Sequence, residues 1–213
     1  MTIKERYAAV LAHFEQAMPL VTTELTYESE FQLLVAVVLS AQCTDKRVNM
    51  VTPALFVAYS TPQAMAQASV EDILGYVKSV SYPNSKAAHL QALSAMIVDK
   101  YGGEVPRTME ELVKLPGVGR KTANVMLAVA FGQSAIAVDT HVFRVANRTG
   151  LAVGKTPLEV EQGLMKRIPA EKRADAHHWL LLHGRYVCKA QRPDCMNCGI
   201  AQWCKKFLSE KRK

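Results

Sequence analysis

The chain has 213 residues, of which 49% are hydrophobic and 21% are charged, and its formal net charge is +7. This composition is that of a globular protein and excludes wholesale disorder, and the length suits one domain or two small, closely packed lobes. The longest apolar run, residues 33–39, is too short to cross a membrane. The N-terminus lacks the apolar stretch and cleavage site of a signal peptide, so we expect a cytoplasmic protein.

Charge is distributed unevenly along the chain. Residues 1–40 carry two basic and five acidic side chains, whereas residues 187–213 carry seven basic and two acidic ones. A positive C-terminal half suits a polyanionic partner, with nucleic acid first. A merely solubilising surface is the alternative, and charge alone does not decide between them.

The first half of the chain is predicted to be helical. Apolar residues at helical spacing over 7–18 predict an amphipathic helix that ends at Pro19. Residues 31–39 are apolar on nearly all sides, which is typical of a helix in the centre of a bundle. A further helix has an apolar stripe over 90–97 and is expected to stop at Gly102.

The second half continues the helical pattern. Thr108 and Glu111 have the spacing of a capping box at a helix start. Apolar residues over 160–168 and over 179–182 indicate two later helices. Only residues 135–138 resemble a strand, and that segment is short. The sequence therefore predicts an all-α fold.

Residues 115–123 have the sequence Leu-Pro-Gly-Val-Gly-Arg-Lys-Thr-Ala and lie between two helical patterns. A proline and two glycines allow a tight turn with positive φ and a close approach of the backbone to another chain. The helix that begins at this turn presents free N–H groups suited to a phosphate. An ordinary helix–helix turn is the alternative, but it needs only one glycine. We expect DNA contacts from four residues of this helix-hairpin-helix pattern: Gly117, Val118, Gly119 and Arg120.

Lys121 lies in the first turn of the second hairpin helix. The positive end of the helix dipole and the neighbouring Arg120 both disfavour an ammonium here and favour a neutral, nucleophilic amine. Such an amine can attack C1′ of a deoxyribose and form a Schiff base. A contact to phosphate is the alternative role for this side chain.

Asp139 follows the apolar segment 135–138 and precedes a helical pattern. The simplest role for it is the N-cap of the next helix. A carboxylate here could also stabilise an oxocarbenium-like transition state or orient the attacking nucleophile. The two roles are compatible.

Four of the five cysteines lie within 17 residues, with the spacing C-x6-C-x2-C-x5-C; they are Cys188, Cys195, Cys198 and Cys204. A reducing cytosol argues against disulfides and for a metal site. Zinc is the alternative, but the uneven spacing without a histidine ligand favours a [4Fe-4S] cluster held by four thiolates. The fifth cysteine, Cys43, is expected to be a small packing residue.

Together these features resemble the endonuclease III family of the helix-hairpin-helix DNA glycosylase superfamily. The resemblance extends over nearly the whole chain and includes, besides the hairpin and the cysteines, residues 39–45, 84–87, 103–106, 138–141 and 178–180. It implies two α-helical lobes with a DNA-binding cleft between them. One would be a six-helix barrel with the helix-hairpin-helix over 23–133, and the other would join 1–22 to 134–213 and hold the [4Fe-4S] cluster.

The resemblance also implies a function in base excision repair. The family removes oxidised or damaged pyrimidines from duplex DNA and cuts the abasic site on its 3′ side by Schiff-base β-elimination. By this resemblance Lys121 is the nucleophile and Asp139 its catalytic partner. Three residues would fill the gap left by the flipped nucleotide: Gln42, Tyr82 and His141. The expected partner is duplex DNA with a damaged pyrimidine or an abasic site, with no membrane, and the protein is expected to be a nucleoid-associated monomer.

One loop departs from the family pattern. Where the family commonly has Gly-Leu/Phe-Tyr/Phe, this chain has Ser81-Tyr82-Pro83, so a tyrosine replaces a smaller aliphatic wedge and a proline stiffens the loop. Lesion and opposite-base preference therefore stay open.

Two other functions also stay open. An adenine-type mismatch glycosylase of the same superfamily usually lacks a lysine at position 121. A non-catalytic helix-hairpin-helix DNA-binding iron–sulfur protein would not need Lys121 and Asp139 together.

Overall fold

A computed structural model describes residues 1–19 and 21–210, which form helices joined by loops. The helices are α1 (Ile3–Ala17), α2 (Glu30–Leu39), α3 (Asp45–Ala58), α4 (Pro62–Gln67), α5 (Val70–Val77), α6 (Pro83–Tyr101), α7 (Met109–Leu112), α8 (Arg120–Val125), α9 (Thr140–Thr149), α10 (Pro157–Met165), α11 (Arg173–Tyr186) and α12 (Lys205–Glu210). A π-helical turn, Met126–Ala130, continues α8, and short 3-10 turns cover Ala170–Lys172 and Ala201–Trp203.

The prediction of an all-α fold is confirmed. The described residues contain no strand, and residues 135–138 form a buried irregular segment ahead of α9. None of the helices in the described part of the chain is long and apolar enough to cross a membrane. Three of the basic residues counted at the C-terminus, Lys211, Arg212 and Lys213, lie outside the described residues.

The chain divides into two compact units. One is Glu24–Phe131, and the other joins Met1–Thr23 to Gly132–Lys213. Helix α1 belongs with the C-terminal third because its buried stripe packs there: Tyr7, Val10, Leu11 and Phe14 share a core with residues of α9, α10 and α11. The Tyr7 hydroxyl donates to the Leu151 carbonyl at 2.7 Å, and Trp179 Nε1 donates to the Met18 carbonyl at 2.9 Å.

Helix α2 is the most deeply buried element of the unit Glu24–Phe131. All of its residues from 31 to 39 are buried, as the sequence predicts for a central helix. Helix α6 buries its predicted stripe over 90–97 and ends at Gly102, which takes φ of 64°. A left-handed residue is the usual end of a helix, and glycine adopts it without steric cost.

Hydroxyl side chains begin most of the helices. Residues that cap a helix by accepting a backbone N–H are Thr2, Ser29, Thr44, Thr61, Ser69, Thr108 and Thr156. Thr108 accepts from the Glu111 N–H and donates to its carboxylate, which is half of the predicted capping box. A complete capping box occurs instead between Thr2 and Glu5 at the start of α1.

Candidate functional site

The turn between α7 and α8 depends on Gly117. Its φ is 77°, in the left-handed region, and a Cβ added to it would lie 2.9 Å from His89 Cβ. The Val118 N–H donates to the Leu115 carbonyl at 3.0 Å, and both of these apolar side chains are buried. The hairpin is thus anchored from inside, so that Val118 can offer a ligand only its backbone.

Neither the backbone conformation nor the packing of the protein itself requires a glycine at position 119. Its φ of −94° and ψ of 175° are open to any residue, and a Cβ added to it would meet nothing within 4 Å. Of the two hairpin glycines, only Gly117 supplies the positive φ that the sequence predicts for this turn. Nothing in the described protein fills the space in front of this residue.

Helix α8 begins at Gly119 without a side-chain cap. Glycine has no side chain that could accept the first N–H groups of the helix, as Ser, Thr and Asp do at other helix starts of this protein. Arg120 and Lys121 occupy the first two helical positions, and both are exposed. Two exposed basic residues thus occupy the start of a helix whose N-terminus has no side-chain cap, which is a favourable environment for an anion.

Gln42 and Tyr82 lie on two loops of the same unit, and both are exposed. Both take left-handed backbone conformations, with φ of 53° for Gln42 and 55° for Tyr82. Such conformations are uncommon for residues other than glycine and are maintained only by their surroundings. The Ser81 hydroxyl donates to the Gln42 carbonyl at 2.8 Å, so the structure brings these two loops together.

Asp139 is the N-cap of α9. Its Oδ1 accepts from the Val142 N–H at 2.7 Å, and the side chain is half-buried. The segment before it is held in place by His177, whose Nδ1 lies 2.8 Å from the Ala137 carbonyl. His141, half-buried in the first turn of α9, has Nδ1 3.1 Å from Arg144 Nη2. The prediction that Asp139 caps a helix is confirmed.

Two arginines of α9, Arg144 and Arg148, contact the cysteine-rich loop, and neither was predicted from the sequence. Arg144 donates through Nε to the Cys188 carbonyl at 2.9 Å and through Nη2 to the Gly184 carbonyl at 2.8 Å. Arg148 donates through Nη1 to the Lys189 carbonyl at 2.7 Å and to Cys188 Sγ at 3.5 Å. These partners are 40 or more residues apart in sequence, and no local pattern could have indicated the contacts.

The four clustered cysteines line a single cavity: Cys188, Cys195, Cys198 and Cys204. All five cysteines of the chain are free thiols. In the described part of the chain, no group of three or more His, Cys, Asp or Glu side chains converges in the geometry that would hold one metal ion. The structure thus contains a cavity whose wall includes the thiols of these four cysteines.

Burial shapes the ionisation of groups around this cavity. Desolvation, followed by the negative charge of neighbouring thiolates, raises the pKa of Cys195, and desolvation also raises the pKa of Cys198. Burial lowers the pKa of His183 to about 4, and His13 adds to this effect. His183 Nε2 lies 3.7 Å from Cys198 Sγ, so a neutral imidazole lines the cavity beside a ligand candidate.

The candidate residues fall into two groups, one in each unit. Gln42, Tyr82, Lys121 and the hairpin residues belong to Glu24–Phe131. Asp139, His141 and the four clustered cysteines belong to the unit that joins the two ends of the chain. The first unit also contains a buried lysine, Lys86, which from the sequence alone is only one residue of the segment 84–87.

Comparison with known proteins relates the chain to base excision repair. A model of the HhH-GPD superfamily base excision DNA repair proteins matches residues 35–170. Endonuclease III of Rickettsia conorii is 49% identical over 198 residues, which cover 93% of this chain and 94% of that protein. Endonuclease III of Escherichia coli K12 is 47% identical over 201 residues, which cover 94% of this chain and 95% of that protein.

Solved structures agree with this relationship. A trapped covalent intermediate of endonuclease III with DNA, in an estranged-adenine complex, matches with a TM-score of 0.93 and 46% identity over 100% of both chains. A non-covalent endonuclease III–DNA complex matches equally well. A thermostable thymine-DNA glycosylase shares the fold, with a TM-score of 0.85 at 22% identity. The chain therefore belongs to the HhH-GPD superfamily of base excision DNA repair proteins and, within it, to the endonuclease III family.

Proposed function

We propose that this protein is a bifunctional DNA glycosylase and abasic-site lyase of base excision repair. It removes oxidised or damaged pyrimidines from duplex DNA and cuts the abasic site on its 3′ side. The observation that carries this proposal is an exposed lysine, Lys121, at the uncapped start of α8, in a chain closely related to endonuclease III. The solved endonuclease III–DNA complexes support duplex DNA as the partner.

The hairpin is proposed to hold the DNA backbone. The exposed N–H groups at the start of α8 and the open space at Gly119 suit a phosphate oxygen, which can approach the backbone only where no Cβ intervenes. Arg120 adds a positive charge at the same point. These contacts are made to phosphate, so they position the enzyme on duplex DNA without reading its sequence.

The damaged pyrimidine is proposed to leave the duplex before any chemistry occurs. Extruding a base costs a few kcal/mol, and less when the lesion stacks or pairs badly. Gln42, Tyr82 and His141 are proposed to fill the gap that remains. Gln42 and Tyr82 are both exposed to solvent, as insertion into a duplex requires.

Lys121 is proposed to perform the covalent step. Its neutral amine attacks C1′, the bond from C1′ to the base breaks, and the base leaves with the electron pair and takes up a proton. Opening of the sugar gives a Schiff base between C1′ and Lys121, which acidifies the C2′ proton. Loss of that proton breaks the bond from C3′ to its oxygen, and this β-elimination cuts the strand on the 3′ side.

Asp139 is proposed to stabilise the positive charge that develops on the sugar as the base departs. One of its oxygens accepts the Val142 N–H. A carboxylate has further acceptor capacity on both oxygens, so capping α9 and acting in catalysis are compatible. The cap also fixes the carboxylate relative to the helix that carries His141.

The four cysteines that line one cavity are proposed to hold a [4Fe-4S] cluster. Four cysteine thiolates are the donor set that such a cluster needs, and all four of these side chains line the same cavity, so they would hold it there. Arg148, which donates to Cys188 Sγ, would offset part of the negative charge of the site. When bound, the cluster would cross-link the loop and could also transfer electrons.

The two compact units are proposed to correspond to the two lobes of the family. Glu24–Phe131 carries the hairpin and would be the helical barrel lobe, and the unit of both chain ends would be the cluster lobe. The monomeric state and an association with the nucleoid are part of the same proposal.

We expect Lys121→Gln to abolish the covalent adduct that borohydride traps on a duplex with thymine glycol or an abasic site, because glutamine cannot form a Schiff base. DNA affinity should be nearly unchanged. Lys114→Gln, at an exposed lysine just before the hairpin, is the matched control and should trap like the wild type. If Lys121→Gln loses DNA binding as well, Lys121 is mainly a phosphate contact. Wild-type protein that forms no adduct would instead favour a monofunctional glycosylase or a binding protein.

Substitutions at Asp139 should distinguish its role as the N-cap of α9 from its proposed role in catalysis. Asp139→Asn keeps an oxygen for the Val142 N–H, so the free energy of unfolding should change little while base excision falls by about 10²-fold or more. Asp139→Ala should lose the excision and also about 1 kcal/mol of stability. Denaturant unfolding and single-turnover excision measure the two effects. Full excision by the Asn variant would restrict Asp139 to its structural role.

The two hairpin glycines should respond in opposite ways to alanine. Gly119→Ala has space for its Cβ and should leave the free energy of unfolding within about 0.5 kcal/mol, while duplex affinity falls by about tenfold because the Cβ blocks a phosphate. Gly117→Ala should destabilise the protein by about 1–3 kcal/mol through backbone strain and contact with His89. Affinity must be compared at one salt concentration. Unchanged binding by Gly119→Ala would contradict the phosphate site.

The purified protein should be yellow-brown and contain about four irons per chain. Cys195→Ser should lose the broad visible absorption and most of the iron, whereas Cys43→Ser, a change at the cysteine outside the cavity, should lose neither. Iron analysis and visible spectroscopy measure the outcome. A colourless protein with one zinc per chain would contradict the cluster.

A further inference from the structure

A buried lysine connects the two loops that carry Gln42 and Tyr82. Lys86, in the first turn of α6, is only 5% exposed. Its ammonium donates to the Leu39 carbonyl at 2.8 Å and to the Ala41 carbonyl at 2.7 Å. Both acceptors lie where α2 ends and the loop of residues 40–44, the Gln42 loop, begins.

Burying an ammonium is costly, and lysine is rarely buried without partners. Burial accordingly lowers the pKa of Lys86, while the nearby Cys43 acts in the opposite direction. The partners here are carbonyls at the C-terminal end of α2, where the helix dipole favours a cation. The contacts that compensate the burial of Lys86 are thus those that attach α6 to the end of α2.

Ser81 makes a second connection between the same loops. Its hydroxyl donates to the Gln42 carbonyl at 2.8 Å. The carbonyls of residues 39, 41 and 42 are therefore all held by side chains from the loop and helix around Tyr82. The two loops also contain Gln42 and Tyr82 in left-handed backbone conformations, which need support from their surroundings.

We propose that Lys86 and Ser81 form a clamp that holds the Gln42 loop and the loop of residues 78–82, the Tyr82 loop, as one rigid unit. Lys86 is then a positioning residue for base extrusion, an inference that rests on the proposed insertion of Gln42 and Tyr82 into the duplex. The clamp fixes the separation of the two inserted side chains before DNA arrives. Loops that are already ordered lose less conformational entropy on binding, so the clamp lowers the cost of insertion.

The clamp itself is tested in the free protein by hydrogen exchange. Lys86→Met retains the length of the side chain and removes both donors, and Ser81→Ala removes the second connection at the surface. Three amides of the loop are hydrogen-bonded and report its opening: Ser40, Ala41 and Cys43. We expect their exchange to speed up by about tenfold or more in Lys86→Met and by less in Ser81→Ala. Lys100→Met, an exposed position at the other end of α6, is the control and should leave them unchanged.

The positioning role is tested by comparing two reactions of the same variants. Excision of thymine glycol from a duplex requires extrusion, whereas borohydride trapping on a single-stranded abasic oligonucleotide does not. Lys86→Met should lower duplex excision by about tenfold or more and change single-strand trapping by less than about threefold. The fluorescence of 2-aminopurine opposite the lesion should lose its response to the enzyme, because that response reports insertion.

Unchanged hydrogen exchange of the loop amides in Lys86→Met would contradict the clamp itself. Faster exchange with unchanged duplex excision would contradict the positioning role. An equal fall in duplex excision and single-strand trapping would also contradict it, because it would indicate general disruption of the protein. Ser81→Ala guards against misfolding of the buried variant, since it should change the duplex reaction in the same direction. Wild-type protein that neither excises nor traps would refute the proposed function, and the exchange experiment would still decide on the clamp.

Discussion

The left-handed turn at Gly117 is the constraint on which the position of Lys121 depends. A Cβ added to this residue would lie 2.9 Å from His89 Cβ, so it could be accommodated only if the neighbours shift, and the buried Val118 fixes the chain immediately after it. The chain then leaves the turn through Gly119 and enters α8 with its first N–H groups uncapped. Arg120 and the proposed nucleophile Lys121 therefore occupy the first two positions of one exposed helix start. The proposed chemistry uses this position twice, for a phosphate contact and for attack on C1′.

Helix α9 has a comparable role in the other unit. Its N-terminus is capped by Asp139, its first turn carries His141, and its later turns send Arg144 and Arg148 to the cysteine-rich loop. The cysteine loop has little regular secondary structure of its own, and its hydrogen bonds with Arg144 and Arg148 connect it to a regular helix. One helix thus carries a proposed catalytic carboxylate at one end and supports the proposed cluster site along its length.

Local patterns in the sequence were sufficient for most of the helices. The apolar stripe of α1, the uniformly apolar α2 and the glycine stop of α6 each involve neighbours within a few turns, and all three predictions are confirmed. Spacing alone could not show that the two hairpin glycines have different roles. The close approach of His89 to position 117, which leaves little room for a Cβ, exists only in the folded chain. The contacts of Lys86, Arg144 and Arg148 join residues that are 40 or more positions apart, so local sequence patterns could not predict them either. The catalytic and cluster roles of individual residues stay predictions.

Mapping the trapped adduct onto the chain tests the central claim most directly. Wild-type protein would be reduced with borohydride on an abasic duplex, digested with nuclease and protease, and analysed by tandem mass spectrometry. The account predicts that the sugar remnant is attached to Lys121, in the peptide that follows the hairpin. A remnant attached to any other amine of the protein, such as Lys86 or the N-terminus, would contradict it.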